Sequence, residues 1–118
     1  MTGRPVIYDD VLYEPGAKFR VVREGAHLSG LTPIHGLSSS YKGWRQDLHV
    51  GDVIECAGFG PGWGSDPGYG IGWFSEQARE DHASFVEFYP EVGGAFAYRP
   101  APGFLEPLPP GWQEEKEP

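Results

Sequence analysis

The chain has 118 residues, with 17 acidic and nine basic side chains and a formal net charge of −8. Its length allows one domain with one modest core, and 18 glycines, 12 prolines and 14% aromatic residues indicate a turn-rich β domain. The acidic balance and the lack of any run of Lys and Arg disfavour nucleic acid and anionic membranes as partners, because both require clustered cations.

The first 24 residues predict two strands and a turn. Residues 5–13 are β-prone but are interrupted by Asp9 and Asp10. The stretch from Glu14 to Ala17 has the signature of a type II turn, because Pro fixes φ near −65° and the following Gly accepts a positive φ. Residues 18–24 contain β-branched side chains between charges and form the second strand.

Residues 25–45 are irregular in composition, with several glycines, Pro33 and three successive serines. They predict a long surface loop with at most a short strand at 31–35. Gly51-Asp52 predicts a turn, and residues 52–59 follow it as a strand.

Residues 58–73 alternate glycine with large side chains, which is the period of a β-strand. Folding this stretch about Asp66 gives a hairpin with three opposed pairs on one face, namely Trp63 with Tyr69, Pro61 with Ile71, and Phe59 with Trp73. So many glycines in strands are costly, so a coiled loop with positive φ at many positions is the alternative.

The remainder predicts one helix, two strands and a tail. Ser75 caps a short helix over 76–83, with a polar hairpin loop as the alternative. Strands follow at 85–89, ended by Pro90, and at 95–98. The fold class is thus mainly β, a small β-barrel or β-sandwich with long Gly/Pro-rich loops, made of a compact domain 1–99 and an extended acidic tail 100–118.

No motif indicates a cofactor or a metal. The glycine-rich stretch lacks G-x-G-x-x-G and the P-loop ending, and the four histidines form no H-x-x-x-H pair. We therefore expect no cofactor and no metal site. Cys56 is the single cysteine and lies in a predicted strand, which favours an inert buried thiol over a reactive one.

Three enzymatic alternatives stay open. Ser38, Ser39 and Ser40 lie near His35 and Asp47 in the chain, without the G-x-S-x-G elbow of a nucleophilic serine. Glu55 and Glu87 could face each other across strands as a glycosidase pair. A small hydrolase or lyase would use His35 or His49 together with a carboxylate.

Aromatic side chains give the leading functional hypothesis, because Trp and Tyr are enriched in interfaces. The predicted binding residues are Trp44, Trp63, Tyr69, Trp73 and Trp112. We expect a non-enzymatic interaction module that assembles with itself or a larger protein, for example a capsid accessory (decoration) protein of the bacteriophage type, with residues 1–8 and 100–118 lying on neighbouring subunits. Deleting 100–118 should then weaken assembly and leave the fold intact.

The alternative without catalysis is a module that binds glycans or peptides through the same rings.

The chain has no stretch of about 18 apolar residues and no apolar leader core near its start. A soluble protein of the cytoplasm or of a virion is therefore expected, as a homo-oligomer or as part of a larger assembly.

Overall fold

The computed structural model describes residues 3–34, 40–60, 70–83, 86–92, 95–96 and 103–112. Over these residues the fold is mainly β with one short helix, as predicted from the sequence. The elements in chain order are β1 (Val6–Tyr8), β2 (Val11–Tyr13), β3 (Lys18–Val21), β4 (Ala26–Pro33), β5 (Tyr41–Leu48), β6 (Val53–Phe59), β7 (Ile71–Phe74), α1 (Glu76–Glu80), β8 (Glu87–Val92), β9 (Ala95–Phe96) and β10 (Leu105–Pro107).

All strand pairs are antiparallel and form three sheets. One is the β1–β2 hairpin, the second has the order β10-β3-β6-β7, and the third has the order β5-β4-β8-β9. The described strands do not close into a barrel. The core lies between the two four-stranded sheets, since buried side chains come from both of them.

The first 24 residues form three strands where two were predicted. Asp9 and Asp10 do not interrupt a single strand; they form the two-residue turn of the β1–β2 hairpin, in which Tyr8 lies opposite Val11. Their φ angles are 51° and 62°. Positive φ at both turn residues matches the twist of the flanking strands, and Asp tolerates this conformation better than most residues.

The turn from Glu14 to Ala17 is confirmed. The amide of Ala17 donates to the carbonyl of Glu14 at 3.1 Å, and Gly16 has a φ of 89°. The predicted turn at Gly51-Asp52 is also present, because the Asp52 amide donates to the His49 carbonyl at 3.0 Å.

The predicted loop at 25–45 is wrong over most of its length. β4 and β5 pair over eight residues, from Ala26 opposite Leu48 to Pro33 opposite Tyr41. Alternate β4 side chains, Ala26, Leu28 and Thr32, are buried. Burial against the opposite sheet outweighs the poor strand propensity of the glycines and prolines, and local composition does not reveal that partner.

Pro90 does not end its strand, contrary to the sequence prediction. It lies inside β8, opposite Ala26 of β4. The next amide, that of Glu91, donates to the carbonyl of Gly25 at 2.7 Å. Successive amides of a strand point to opposite sides, so the proline nitrogen points away from β4 and removes no hydrogen bond from that ladder.

The glycine-alternating stretch does contain a hairpin, but its register differs from the prediction. Phe59 lies opposite Ile71, and Trp73 lies opposite Cys56. A β-bulge between Cys56 and Gly58 shifts the register. Gly58 has a φ of 84°, and a Cβ there would lie 2.9 Å from the carbonyl oxygen of Arg4. The predicted pair of Trp63 and Tyr69 lies outside the described residues.

The chain after residue 100 contributes to the core, whereas an extended tail was predicted. Phe104 is 0% exposed and β10 pairs with β3. The N-terminal stretch is likewise part of this domain, since the Arg4 amide donates to the carbonyl of Phe59 at 2.8 Å. Deletion of 100–118 would remove a strand and a core side chain, so from the structure we expect this deletion to destabilise the fold.

α1 begins as predicted. Ser75 is the N-cap, and its side chain accepts a hydrogen bond from the amide of Ala78 at 3.0 Å. The Ser75 hydroxyl also donates to Oε1 of Gln46 on β5 at 2.5 Å. Ala78 is buried against the core. Because the helix directly follows β7 and its cap residue Ser75 is bonded to Gln46, the helix links β7 of one sheet to β5 of the other.

Candidate functional site

The three predicted binding tryptophans that the structure describes do not share one surface. Trp73 is 1% exposed and lies in the core, at 5.2 Å from the Phe19 ring centroid in an edge-on arrangement. The prediction that Trp73 contacts a partner is therefore wrong. Trp44 and Trp112 are half-buried in separate places, and Trp63 and Tyr69 lie outside the described residues.

Trp44 contacts the helix. Its indole Nε1 donates to Oδ2 of Asp81 at 2.8 Å, and Nε2 of Gln77 donates to the same oxygen at 3.0 Å. These two hydrogen bonds hold the pKa of the Asp81 carboxyl below its usual value. Trp44 thus has a structural partner within the chain, and only part of its ring faces solvent.

Trp112 lines a groove of about 490 Å³ among the described residues. One wall runs from the start of β2 to β3, and the other is the segment 107–112, which we call the C-terminal arm. We call the space between them the arm groove. Its apolar lining includes Leu12, Pro15, Ala17, Leu108 and Trp112.

Backbone hydrogen bonds fix the C-terminal arm against β3. Pro107 lies opposite Phe19 in the β10–β3 pair, and the Leu108 amide donates to the Lys18 carbonyl at 2.9 Å. The Trp112 amide donates to the Pro109 carbonyl at 3.0 Å, so the arm ends in a turn. The groove is therefore preformed and does not depend on a mobile segment closing over a ligand.

Arg20 orients the indole of Trp112. Its guanidinium lies 5.9 Å from the Trp112 ring centroid and 3.9 Å from the carboxylate of Glu106. A guanidinium within about 6 Å of an aromatic face is attracted by the ring quadrupole. One face of Trp112 thus has a partner within the chain, and the ring is held at the edge of the arm groove.

The charged residues that line the arm groove are mainly acidic. Asp10 and Glu14 contribute carboxylates. Lys18, the lysine of the lining, is held by Oε1 of Glu55 at 2.7 Å. The groove therefore presents prolines, leucine and indole next to negative charge, which favours an apolar ligand with a basic group.

Glu55 lies between two cations on the outer face of the same sheet. Besides Lys18, the guanidinium of Arg79 lies 2.5 Å from its Oε2. Partial burial raises the pKa of the Glu55 carboxyl, but the hydrogen bonds from Lys18 and Arg79 outweigh this effect, and the pKa is lowered. Arg79 also lies over the ring of Phe74, 5.1 Å from its centroid.

No protein-family model, curated protein or solved structure matches this chain. Among the described residues, no group of His, Cys, Asp and Glu is arranged to hold a metal ion, and no helix is both long and apolar enough to cross a bilayer.

Glu55 and Glu87, the glycosidase alternative left open by the sequence, do not lie on paired strands. Glu55 lies on β6 in one four-stranded sheet and Glu87 on β8 in the other. Glu55 is paired with cations, and Glu87 accepts a hydrogen bond from the hydroxyl of Tyr89 at 2.5 Å. The two carboxylates therefore do not face each other across paired strands, as this alternative requires.

None of the histidines that the structure describes lines the arm groove. Nδ1 of His49 lies 3.3 Å from Oε2 of Glu24, and both side chains are mostly exposed. His35, Ser38 and Ser39 of the serine hypothesis lie outside the described residues.

Cys56 is buried, and burial raises the pKa of its thiol to about 12, which agrees with the expected buried thiol.

Sequence reasoning missed one cluster, on the outer face of β5-β4-β8. His27 lies opposite Asp47 on one side and Tyr89 on the other, and its ring stacks on Tyr89 at 5.3 Å between centroids. Burial, followed by the charge of Arg45, lowers the pKa of His27. These side chains come together because residues 26–33 form β4. The sequence predicts a loop over most of this range and therefore gives no sign of the cluster.

A second cleft, of about 470 Å³, lies beside α1 and the turn before β6. Its carboxylates come from Asp52, Glu76 and Glu80. Oδ2 of Asp52 accepts a hydrogen bond from the His49 amide at 2.8 Å, which is the local bonding of a turn. This cleft offers solvated acidic groups and little apolar surface, so the arm groove is the better candidate site.

Proposed function

We propose that this protein is a non-enzymatic interaction module that binds an extended segment of a protein partner in the arm groove. The observation that carries the proposal is the preformed apolar groove beside Trp112. Its volume of about 490 Å³ lies within the range of pockets that bury a drug-sized ligand. Trp112 is one of the residues that the sequence predicted for binding.

The lining suggests the chemistry of the bound segment. Prolines and an indole edge form flat apolar surfaces of the kind that recognise proline-containing extended peptides. Asp10 and Glu14 lie in the same lining and favour a basic residue beside the apolar ones. An extended peptide with proline or leucine next to Lys or Arg is therefore the proposed ligand class.

Two finer parts of the sequence hypothesis accompany this proposal. We propose that the two four-stranded sheets form an open sandwich, because the buried side chains of both contribute to one core. We further propose that the segment is bound when this protein assembles with a larger protein, for example in a capsid lattice.

The test is a backbone-amide NMR titration of the full chain with synthetic peptides. One peptide series contains proline and leucine flanked by arginine, and a matched series replaces arginine by aspartate. We expect the basic series to shift amides of residues 11–19 and 108–112. A Trp112→Ala variant should bind roughly tenfold more weakly, since an aromatic interface anchor commonly contributes more than 1 kcal/mol.

Val50→Ala is the matched control, because Val50 is exposed and does not line the groove. It should bind like the original protein. Equal affinity of Trp112→Ala, or shifts confined to other surfaces, would contradict the proposal. Shifts of the same groove amides by cellohexaose, with no response to either peptide series, would favour the glycan-binding alternative instead.

A further inference from the structure

β5 is a long edge strand. It spans eight residues, from Tyr41 to Leu48, and it is the terminal strand of the β5-β4-β8-β9 sheet. Among the residues that the structure describes, no strand pairs with its other side. An edge of this length presents a row of backbone donors and acceptors that can pair with another extended chain.

β5 is held in place from the inner face of its sheet. Trp44 is bonded to Asp81, and Gln46 is bonded to Ser75. The edge is therefore ordered before any partner arrives, which lowers the entropic cost of pairing.

The outer-face side chains of β5 are self-complementary in shape. Tyr41 is 53% exposed. At Gly43 an added Cβ would have no atom within 4 Å, so there is open space above the backbone. Arg45 and Asp47 follow on the same face and form an ion pair at 2.8 Å.

We propose that β5 pairs with β5 of a second copy of this chain, antiparallel and centred on Trp44. In this register Tyr41 lies opposite Asp47 of the second copy, and Gly43 lies opposite Arg45. The long arginine side chain then covers the bare backbone, and the tyrosine hydroxyl faces a carboxylate. Both contacts occur twice because the pair is two-fold symmetric.

Charge selects this register over the one centred on Arg45, and a register centred on Gly43 would pair only residues 41–45 of β5. Residues directly opposite each other in an antiparallel pair lie on the same face of the sheet. The cores of the two copies therefore lie on the same side of the continuous sheet only if inner-face residues of one β5 lie opposite inner-face residues of the other. Centring the pair on Arg45 would place two guanidinium groups directly opposite each other, which is unfavourable. Centring it on Trp44 places Lys42 opposite Gln46, with no like charges opposed over residues 41–47.

A second copy is favoured over an unrelated strand because β5 itself carries both the protruding side chains, Tyr41 and Arg45, and the uncovered backbone at Gly43. This inference does not depend on the arm groove, since β5 and the groove lining share no residue. Either proposal can therefore fail without the other.

Sedimentation equilibrium of the full chain over a concentration series tests the pairing. We expect a monomer–dimer equilibrium. Tyr41→Glu places carboxylates opposite each other twice and should weaken the dimer roughly tenfold. The double variant Tyr41→Glu with Asp47→Lys should restore dimerisation. Ile7→Glu is the matched control, because Ile7 is at least as exposed as Tyr41 but lies on β1.

Cysteine cross-linking tests the register. The double variant Gly43→Cys with Arg45→Cys should give a dimer that reducing agent separates, while Gly43→Cys with Asp47→Cys should not. The native Cys56 is buried and does not compete. A strictly monomeric chain, or cross-linking only through the 43 and 47 pair, would overturn the proposal. Circular dichroism of each variant identifies any that fail to fold, and the cross-linking pair gives the result independently of Tyr41→Glu.

Discussion

The indole Nε1 of Trp44 donates a hydrogen bond to Oδ2 of Asp81 across 2.8 Å. This bond joins the middle of β5 to the residue that ends α1. The hydrogen bond gives Trp44 a structural role within the chain, although part of its ring is exposed. The same bond lowers the pKa of the Asp81 carboxyl.

Trp44→Phe should raise the pKa of Asp81 towards its usual value, because phenylalanine keeps the ring but has no N–H to donate. Carboxyl chemical shifts followed by NMR across the acidic pH range measure this change. Trp112→Phe is the control and should leave the titration of Asp81 where it was. An unshifted Asp81 titration in Trp44→Phe would show that the hydrogen bond does not form in solution.

Glu55→Gln should destabilise the fold by about 1 kcal/mol near neutral pH, since it removes two charge-assisted hydrogen bonds on a partly exposed face. The folded-state pKa of Glu55 is lowered, so its contribution is present above the unfolded-state pKa and is lost as pH falls through the folded-state value. Urea denaturation at neutral pH and in strong acid should therefore show a difference between the two proteins only at neutral pH. An equal loss at both values would assign the effect to packing.

Trp73→Ala should cost about 3–5 kcal/mol, which is a large part of the stability of a domain of this size. Trp73 is surrounded by Tyr13, Phe19 and Phe88 in the core. Thermal denaturation followed by near-ultraviolet circular dichroism measures the loss. Ile7→Ala, at a residue that is 68% exposed, should change stability by less than about 0.5 kcal/mol. Similar effects of the two substitutions would contradict the core position of Trp73.

Cys56 should not react with a thiol reagent while the protein is folded. Its side chain is buried, and its pKa of about 12 leaves very little thiolate near neutral pH. Mixing with dithiobis(nitrobenzoate) should give no colour until denaturant is added. Val50→Cys provides an exposed thiol for comparison and should react at once. Fast reaction of the original protein would mean that the sheet opens locally around β6.

Asp10→Gly should stabilise the protein by about 0.5 kcal/mol, because glycine adopts the positive φ of that turn position without strain. Val22→Gly, at an exposed residue that does not have a positive φ, should instead be destabilising. Chemical denaturation of both variants gives the comparison. Destabilisation by Asp10→Gly would indicate that the aspartate side chain contributes a hydrogen bond that outweighs the backbone strain.

Local sequence predicted the features that depend on a few adjacent residues. The Pro15-Gly16 turn needs only the restricted φ of proline and the freedom of glycine. The Ser75 cap needs only one hydroxyl before a helical turn, and the burial of Cys56 follows from an apolar thiol in a strand. Trp112, which the sequence predicts as a binding residue, lines the arm groove, and its role in binding stays a prediction.

Tertiary structure decided the rest, because the deciding contacts join residues far apart in the chain. The pairing of β4 with β5 and β8 gives Pro33, Pro90 and the surrounding glycines a place in strands that their propensities oppose. β10 reaches β3 from the other end of the chain, and this return builds the second wall of the arm groove. The burial of Trp73 and the exposure of Tyr41 depend on where the two sheets meet and where one of them ends, which local patterns do not specify.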